Sequence, residues 1–268
     1  MRTTERLQDR CGELRSLHVP GSPLVLPNAW DVATAKATVA AGFPVVATTS
    51  AGVAATLGYE DHEGAPARKM LDAAARIARA VDVPVTIDAE AGYGMEPEAL
   101  VAMLANAGAA GCNLEDTDHA RGELRDAAGQ AAMLRAVRAA ASDRGYSLVI
   151  NARIDVFLPD VLAGSGRPQG ELVPDALDRA QAYLDAGADC VFPIALWERD
   201  ALQTFVSRAA GPVNALKIPP APSVAELAGF GVARVSYAGL LHRDTMEHFD
   251  GVLASLAVDS ASLQETKS

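Results

Sequence analysis

Eight short β-branched runs alternate with alanine-rich helical stretches along these 268 residues, and this alternation constrains the fold more than any other feature. The runs lie at 24–28, 45–50, 85–90, 112–115, 148–155, 190–194, 213–218 and 235–237. Glycine-containing turns lead into several of them: Ala41-Gly42-Phe43-Pro44, Asn106-Ala107-Gly108, Asp185-Ala186-Gly187 and Gly229-Phe230-Gly231. Glycine just past a helix end is a stop signal. Between runs, segments such as 70–81, 96–107 and 175–186 place apolar residues three and four apart, the helical period. Regular strand–helix alternation requires parallel strands joined by right-handed crossovers. Eight repeats favour an α/β fold of the closed (β/α)₈ TIM-barrel type over an open doubly wound sheet, and such a barrel needs roughly 250 residues. One domain over 1–268 is expected, with its core at about 20–255 and a loose polar tail over 258–268.

Half the residues are hydrophobic, enough for a large core without disulfide or metal staples. The formal net charge of −11 argues against nucleic acid or an anionic membrane as partner. Cys11, Cys112 and Cys190 form no CxxC pair. That suits a reducing, cytoplasmic setting with each thiol buried as a small hydrophobe. The stretch 1–12 mixes charges and has no apolar leader, and no run approaches the ~18 apolar residues of a membrane span.

A barrel of this kind builds its active site at the carboxyl ends of its strands. The third run ends Thr86-Ile87-Asp88-Ala89-Glu90, and side chains two apart share a face, so Thr86, Asp88 and Glu90 point one way. The fourth ends on Glu115, and the fifth carries Asn151, Arg153 and Asp155 at period two. Two readings of the carboxylates stand open. They pair with basic neighbours or cap helices, or they converge on a hard divalent cation, Mg²⁺ with Mn²⁺ as the alternative, which relieves their repulsion. Arg153 is either a buried ion-pair partner of Asp155 or Glu115 or a stabiliser of an anionic substrate. Thr48, Thr49, Ser50 and Gly52 are small enough to let backbone amides approach a carboxylate, though ordinary turn chemistry uses the same residues. Trp30 is a candidate pocket wall. Asn28, Asp31, Asn214, Ser236 and Tyr237 are further candidates. Lys217 is either an ion-pair partner or a Schiff-base lysine. The long segments 50–67 and 158–173 follow strands and would cover the mouth.

Together these residues resemble the isocitrate lyase/phosphoenolpyruvate mutase superfamily over roughly 24–241. Asp88-Ala89-Glu90-Ala91-Gly92-Tyr93-Gly94 is similar to its D-x-D-x-G-[FY]-G signature. Ala107-Gly108-Ala109-Ala110-Gly111 leading to Leu114-Glu115-Asp116, the strand Ile150-Asn151-Ala152-Arg153-Ile154-Asp155 and the turn Ala186-Gly187-Ala188-Asp189 resemble three further elements. The resemblance implies Mg²⁺ bound directly by Asp88 and mostly through waters by Glu90 and Glu115. Asp61 joins that outer shell. Thr49, Ser50 and Ala51 would cradle the substrate carboxylate, and Arg153 would meet developing negative charge. It also implies a homo-oligomer, a tetramer or a dimer, with the C-terminal helix exchanged between subunits. The reaction implied is cleavage of a C–C bond in a small 2-hydroxy or 2-oxo acid by way of a pyruvate-like enolate.

Two departures bear on that reaction. Glu90 stands where the family has Asp, one methylene shorter. The family's lyases carry K-[KR]-C-G-H after strand four, with Cys as proton donor, whereas this chain reads Thr117-Asp118-His119-Ala120-Arg121-Gly122-Glu123-Leu124. His119 is the first candidate to move the proton instead, ahead of Asp116, Tyr93 and His62. Phosphonopyruvate-type mutase or hydrolase chemistry is the second reading, although its Lys-containing loop is also absent. A binding protein that kept the metal site and lost its acid is the third.

Overall fold

The glycine stops and β-branched runs take the forms their chemistry favours. The computed structural model describes residues 3–265. Helix α1 (Thr3–Ser16) precedes β1 (Leu24–Leu26) and β2 (Asn28–Ala29), and α2 (Val32–Ala40) follows. Next come β3 (Val46–Thr48), α3 (Ser50–Leu57), α4 (Ala67–Ala80), β4 (Val85–Asp88) and α5 (Pro97–Ala107). Strand β5 (Gly111–Glu115) leads into a small hairpin, β6 (Thr117–Asp118) and β7 (Glu123–Leu124), then α6 (Ala127–Asp143). Beyond β8 (Val149–Ile154) lie α7 (Leu158–Ala163), a 3₁₀ turn (Gln169–Glu171) and α8 (Val173–Asp185). The chain closes with β9 (Cys190–Pro193), α9 (Arg199–Arg208), β10 (Asn214–Leu216), α10 (Val224–Phe230), β11 (Arg234–Ser236) and α11 (Leu240–Glu265).

All barrel strands pair in parallel. One series runs β2-β3-β4-β5-β8-β9 and the other β1-β11-β10. The bridge between Val191 and Val213 joins β9 to the foot of β10. On the other side β1 continues into β2 across Pro27, which has no N–H to give a ladder and so interrupts one strand rather than separating two. The ring thus closes into an eight-stranded barrel.

Local chemistry sets the helix ends. Asp31 caps α2 by accepting from the Thr34 amide, while Thr34 Oγ1 accepts from the Asp31 amide. Ser223 and Glu226 form the same reciprocal box at α10. Gly108 ends α5 in the left-handed region at φ 84°, which costs glycine little.

Leu14 of α1 closes the amino-terminal end of the barrel, packed so tightly that a Cβ on Gly111 would lie 2.7 Å from its Cδ2. Of the stretch 1–12, residues 3–12 are helical and 1–2 lie outside the described residues. All three cysteines are buried and free. Among the described residues no helix is long and apolar enough to cross a membrane.

The structure corrects two expectations. Much of 50–67 is not loop, because α3 begins at the end of β3. The tail expected to be loose from about 258 is helical to Glu265, as α11 runs on past Val258, and 266–268 lie outside the described residues. Met246, Phe249, Val252, Leu253 and Leu256 are exposed on α11, spaced three and four apart as one apolar stripe.

Candidate active site

A cavity of about 150 Å³ opens at the carboxyl ends of the strands. Asp88 from β4, Asn113 from β5 and Arg153 from β8 share its wall with Thr49, Ser50 and Ala51, Asp61 and His62. Phe192 and Ile194, which cluster with Leu216, form an apolar side. A larger recess of about 640 Å³ beside the β6–β7 hairpin includes none of Asp61, Asp88 or Arg153.

Asp88 ends its strand with Oδ2 accepting the Ser50 amide at 3.1 Å, while Oδ1 is buried with no hydrogen-bond partner. Asp61 Oδ1 is likewise buried and unpartnered. Burial raises the Asp88 carboxyl above its ordinary value, against the opposing pull of Arg153. The other two carboxylates are already engaged. Glu90, at φ 48°, accepts from the Glu63 amide and from Tyr93 Oη, and burial pushes it up to about 7. Glu115 pairs with His119 through one oxygen and with Arg153 through the other. Only Asp88 of the three predicted metal residues lines the cavity.

Arg153 lies on the cavity wall and is held from behind. Its Nε meets Asp155 Oδ1 at 2.6 Å, its Nη2 meets Oδ2 at 3.0 Å, and its Nη1 pairs with Glu115. Burial works to lower its pKa, but the Asp155 and Glu115 carboxylates outweigh that and raise it. The ion-pair reading is met, and since a guanidinium has five N–H groups, part of that set is left unspent on carboxylates.

Helix α3 starts at Ser50, so the amides of its first turn, including Ala51 and Gly52, lack intrahelical acceptors, and Ser50 and Ala51 line the cavity. Such a terminus receives carboxylates well. Gly52 is demanded by packing: a Cβ there would come within 2.8 Å of Trp30 Cβ and 2.9 Å of Thr49 Cγ2.

His62 lines the cavity, whereas His119 stands behind it, its ring centroid 5.2 Å from that of His62. The bond to Glu115 raises the His119 pKa against its partial burial. Trp30 is not on the wall; it meets His242 of α11 edge-on, centroids 5.1 Å apart. Asn214 is fully buried and bonded to Ser236, which itself lines the cavity. Lys217 Nζ donates to the Ala221 carbonyl. Sequence reasoning did not single out Asn113, although its place two residues before Glu115 on an inward face marked it.

A magnesium ion fits what is present in one respect. Asp88 and Asp61 line one cavity and each has a buried carboxylate oxygen with no protein donor, and hard oxygens of this kind suit Mg²⁺. Among the described residues no three His, Cys, Asp or Glu side chains form a ready set of direct ligands. An ion here would therefore take few protein ligands and fill its shell with water, as Mg²⁺ commonly does.

Comparison with known proteins places the chain in a family. The family model described as phosphoenolpyruvate phosphomutase matches residues 14–257. A protein of Mycobacterium tuberculosis with no assigned activity is 36% identical over 220 residues, 82% of this chain and 79% of that protein. The 2-methylisocitrate lyase of Salmonella typhimurium is 32% identical over 219 residues, 75% of this chain and 70% of that enzyme. A solved structure from Burkholderia cenocepacia, described provisionally as a phosphonomutase, superposes with a TM-score of 0.85 at 38% identity. That match covers 92% of this chain and 99% of the other. The barrel, the strand-end carboxylates and these likenesses agree that the chain belongs to the phosphoenolpyruvate phosphomutase family, within the isocitrate lyase/phosphoenolpyruvate mutase superfamily of lyases and mutases.

Proposed function

We propose that this enzyme is a Mg²⁺-dependent lyase, with Mn²⁺ as the alternative ion, that cleaves a C–C bond in a small 2-hydroxy or 2-oxo carboxylic acid. One observation carries the reading: Asp88 and Asp61 line one cavity with Arg153, and each keeps a buried carboxylate oxygen without a hydrogen-bond partner. Asp88 and Asp61 would hold the ion, with Glu90 and Glu115 in support. When bound, the ion supplies a Lewis acid that polarises a substrate oxygen.

The residues of this chain do the rest. The amides at the start of α3, with Thr49, Ser50 and Ala51, receive the substrate carboxylate. Arg153 stabilises negative charge as it builds, and Asp155 keeps the guanidinium aimed. His62 is the imidazole on the wall and moves the proton that the missing Cys would have handled, with His119 behind it. The cavity suits an acid of a few carbons. Screening small 2-hydroxy acids for release of a 2-oxo product tests this reading. Arg153→Ala should cut turnover by a factor on the order of 100, about 3 kcal/mol of barrier, and unchanged turnover would refute the role.

A second reading, P–C bond chemistry on a phosphonopyruvate-like acid, draws support from the matching family model and the Burkholderia likeness. Turnover of phosphonate but not carboxylate substrates would favour it. For assembly, the exposed apolar side chains of Met246, Phe249, Val252 and Leu253 on α11 support a homo-oligomer in which that helix packs on a second copy.

A further inference from the structure

Arg234 is the largest of the fully buried side chains, 1% exposed on β11, and no carboxylate meets it. Burial lowers its pKa, against a weaker opposing pull from groups that include Asp88. Its Nη2 donates to Asn113 Oδ1 at 3.1 Å, and its Nε and Nη1 have no hydrogen-bond partner. Few proteins keep such a group in a barrel core without use for it.

The consequence falls on Asn113. Guanidinium groups donate and never accept, so the atom of Asn113 that faces Arg234 must be the oxygen. Asn151 Nδ2 donates to the same oxygen at 2.9 Å, which fixes the amide from a second side. With Oδ1 held by two donors, the NH₂ end has one direction left. Asn113 lines the strand-end cavity, in register with Asp88 on the neighbouring strand. The other asparagine on the wall is different: Asn28 spends its nitrogen on the Thr48 carbonyl and its oxygen on the Tyr237 amide.

The geometry points to Asn113 as a specificity-determining substrate contact and to Arg234 as the positioning residue that locks its NH₂ toward the cavity. The donor sits beside Asp88, on a different strand from the α3 amides that receive the first carboxylate. The ligand is therefore an acid with a second oxygen next to its carboxylate that can accept a hydrogen bond, an oxo, hydroxyl or carboxylate oxygen. This inference rests on the function proposed above and names which oxygen the barrel floor reads.

Calorimetric titration of oxalate in saturating Mg²⁺ tests it, on wild type, Asn113→Leu, Asn113→Asp, Arg234→Met and Asn113→Leu/Arg234→Met. The dissociation constant should rise about tenfold or more in Asn113→Leu, the worth of a hydrogen bond to a charged acceptor. Arg234→Met should weaken binding similarly, and the double variant should be no weaker than the weaker single, because Arg234 acts through Asn113. Asn113→Asp gives Arg234 a carboxylate, so its thermal midpoint should hold or rise while oxalate binding falls. A purely structural role would not separate these two readouts. If Arg234→Met does not fold, the two Asn113 variants still decide. Wild-type affinity in Asn113→Leu overturns this inference alone, as do fully additive losses, whereas wild type that fails to bind oxalate overturns it together with the proposed function.

Discussion

The guanidinium of Arg153 grips the carboxylate of Asp155, two residues further along, through paired bonds of 2.6 Å and 3.0 Å. Residues two apart share a face of a strand, so the pair is set by the backbone before any packing is considered. Asp155 is itself tied down, accepting from Thr117 Oγ1 while its amide donates to Asp116 Oδ1 at 2.8 Å. Replacing Asp155 by Asn leaves a buried cation with only Glu115 for compensation. Breaking a buried pair in this way costs about 3 kcal/mol or more. Urea unfolding of Asp155→Asn should show a loss of that order, and a midpoint equal to wild type would refute the pairing.

His18 predicts a pH dependence remote from the site. Its Nδ1 bonds the Leu14 carbonyl at 2.8 Å, its Nε2 has no partner, and burial lowers its pKa to about 4. In the unfolded chain the ring titrates near ~6.5, so between those values the unfolded state binds the extra proton. The contribution is fully present above about pH 6.5 and is lost as pH falls toward 4. Its size is about 3 kcal/mol at one decade per ~1.4 kcal/mol. Glu90, pushed up to about 7, works the opposite way over the same window. The test is therefore the difference: from pH 7 to pH 4 wild type should lose more stability, or gain less, than His18→Leu, and identical slopes would contradict this.

Gly111 reports on the closed end of the barrel. A Cβ there would meet Leu14 Cδ2 at 2.7 Å and the Val149 carbonyl oxygen at 2.8 Å. The leucine tip can move, but the carbonyl belongs to the neighbouring strand and cannot. Gly111→Ala should therefore lower stability by about 1–3 kcal/mol, read by chemical denaturation. A neutral effect would mean that α1 does not seat as described.

The stripe on α11 predicts the assembly state. Phe249 and Leu253 are four apart and about half exposed. Exposed apolar faces of this kind mark contact surfaces. Phe249→Lys with Leu253→Lys should reduce the mass seen by light scattering while the far-ultraviolet circular dichroism stays unchanged. An unaltered mass would remove α11 from the interface.

The barrel was legible because its evidence in the chain is periodic. Runs such as 85–90 and 148–155 combine β-branching with a strand-end charge, and glycines such as Gly108 mark where helices stop. The hairpin β6–β7 was not legible, since four paired residues leave no period to read. Nor was the start of α3, because Ser50, Ala51 and Gly52 suit a turn as well as a first helical turn. At the site, Asp88, Arg153 and Asp61 fell where period two and the family motifs put them. For Glu90 and Glu115 the sequence left pairing and metal binding both open, and His119 stood as a proton carrier; each is engaged by a neighbour. Pairing across strands depends on register, and no single strand reveals it. Asn113 was passed over for the same reason, as its partner Arg234 is 121 residues away.

The central claim is a cation site on Asp88 that receives an enolate-like acid, and oxalate is the simplest mimic. It should be titrated with and without Mg²⁺ into wild type and Asp88→Ala. The account predicts binding that requires Mg²⁺ and disappears in the variant. Binding indifferent to Mg²⁺ and to Asp88, or no binding at all, would leave the barrel standing and contradict the function assigned to it.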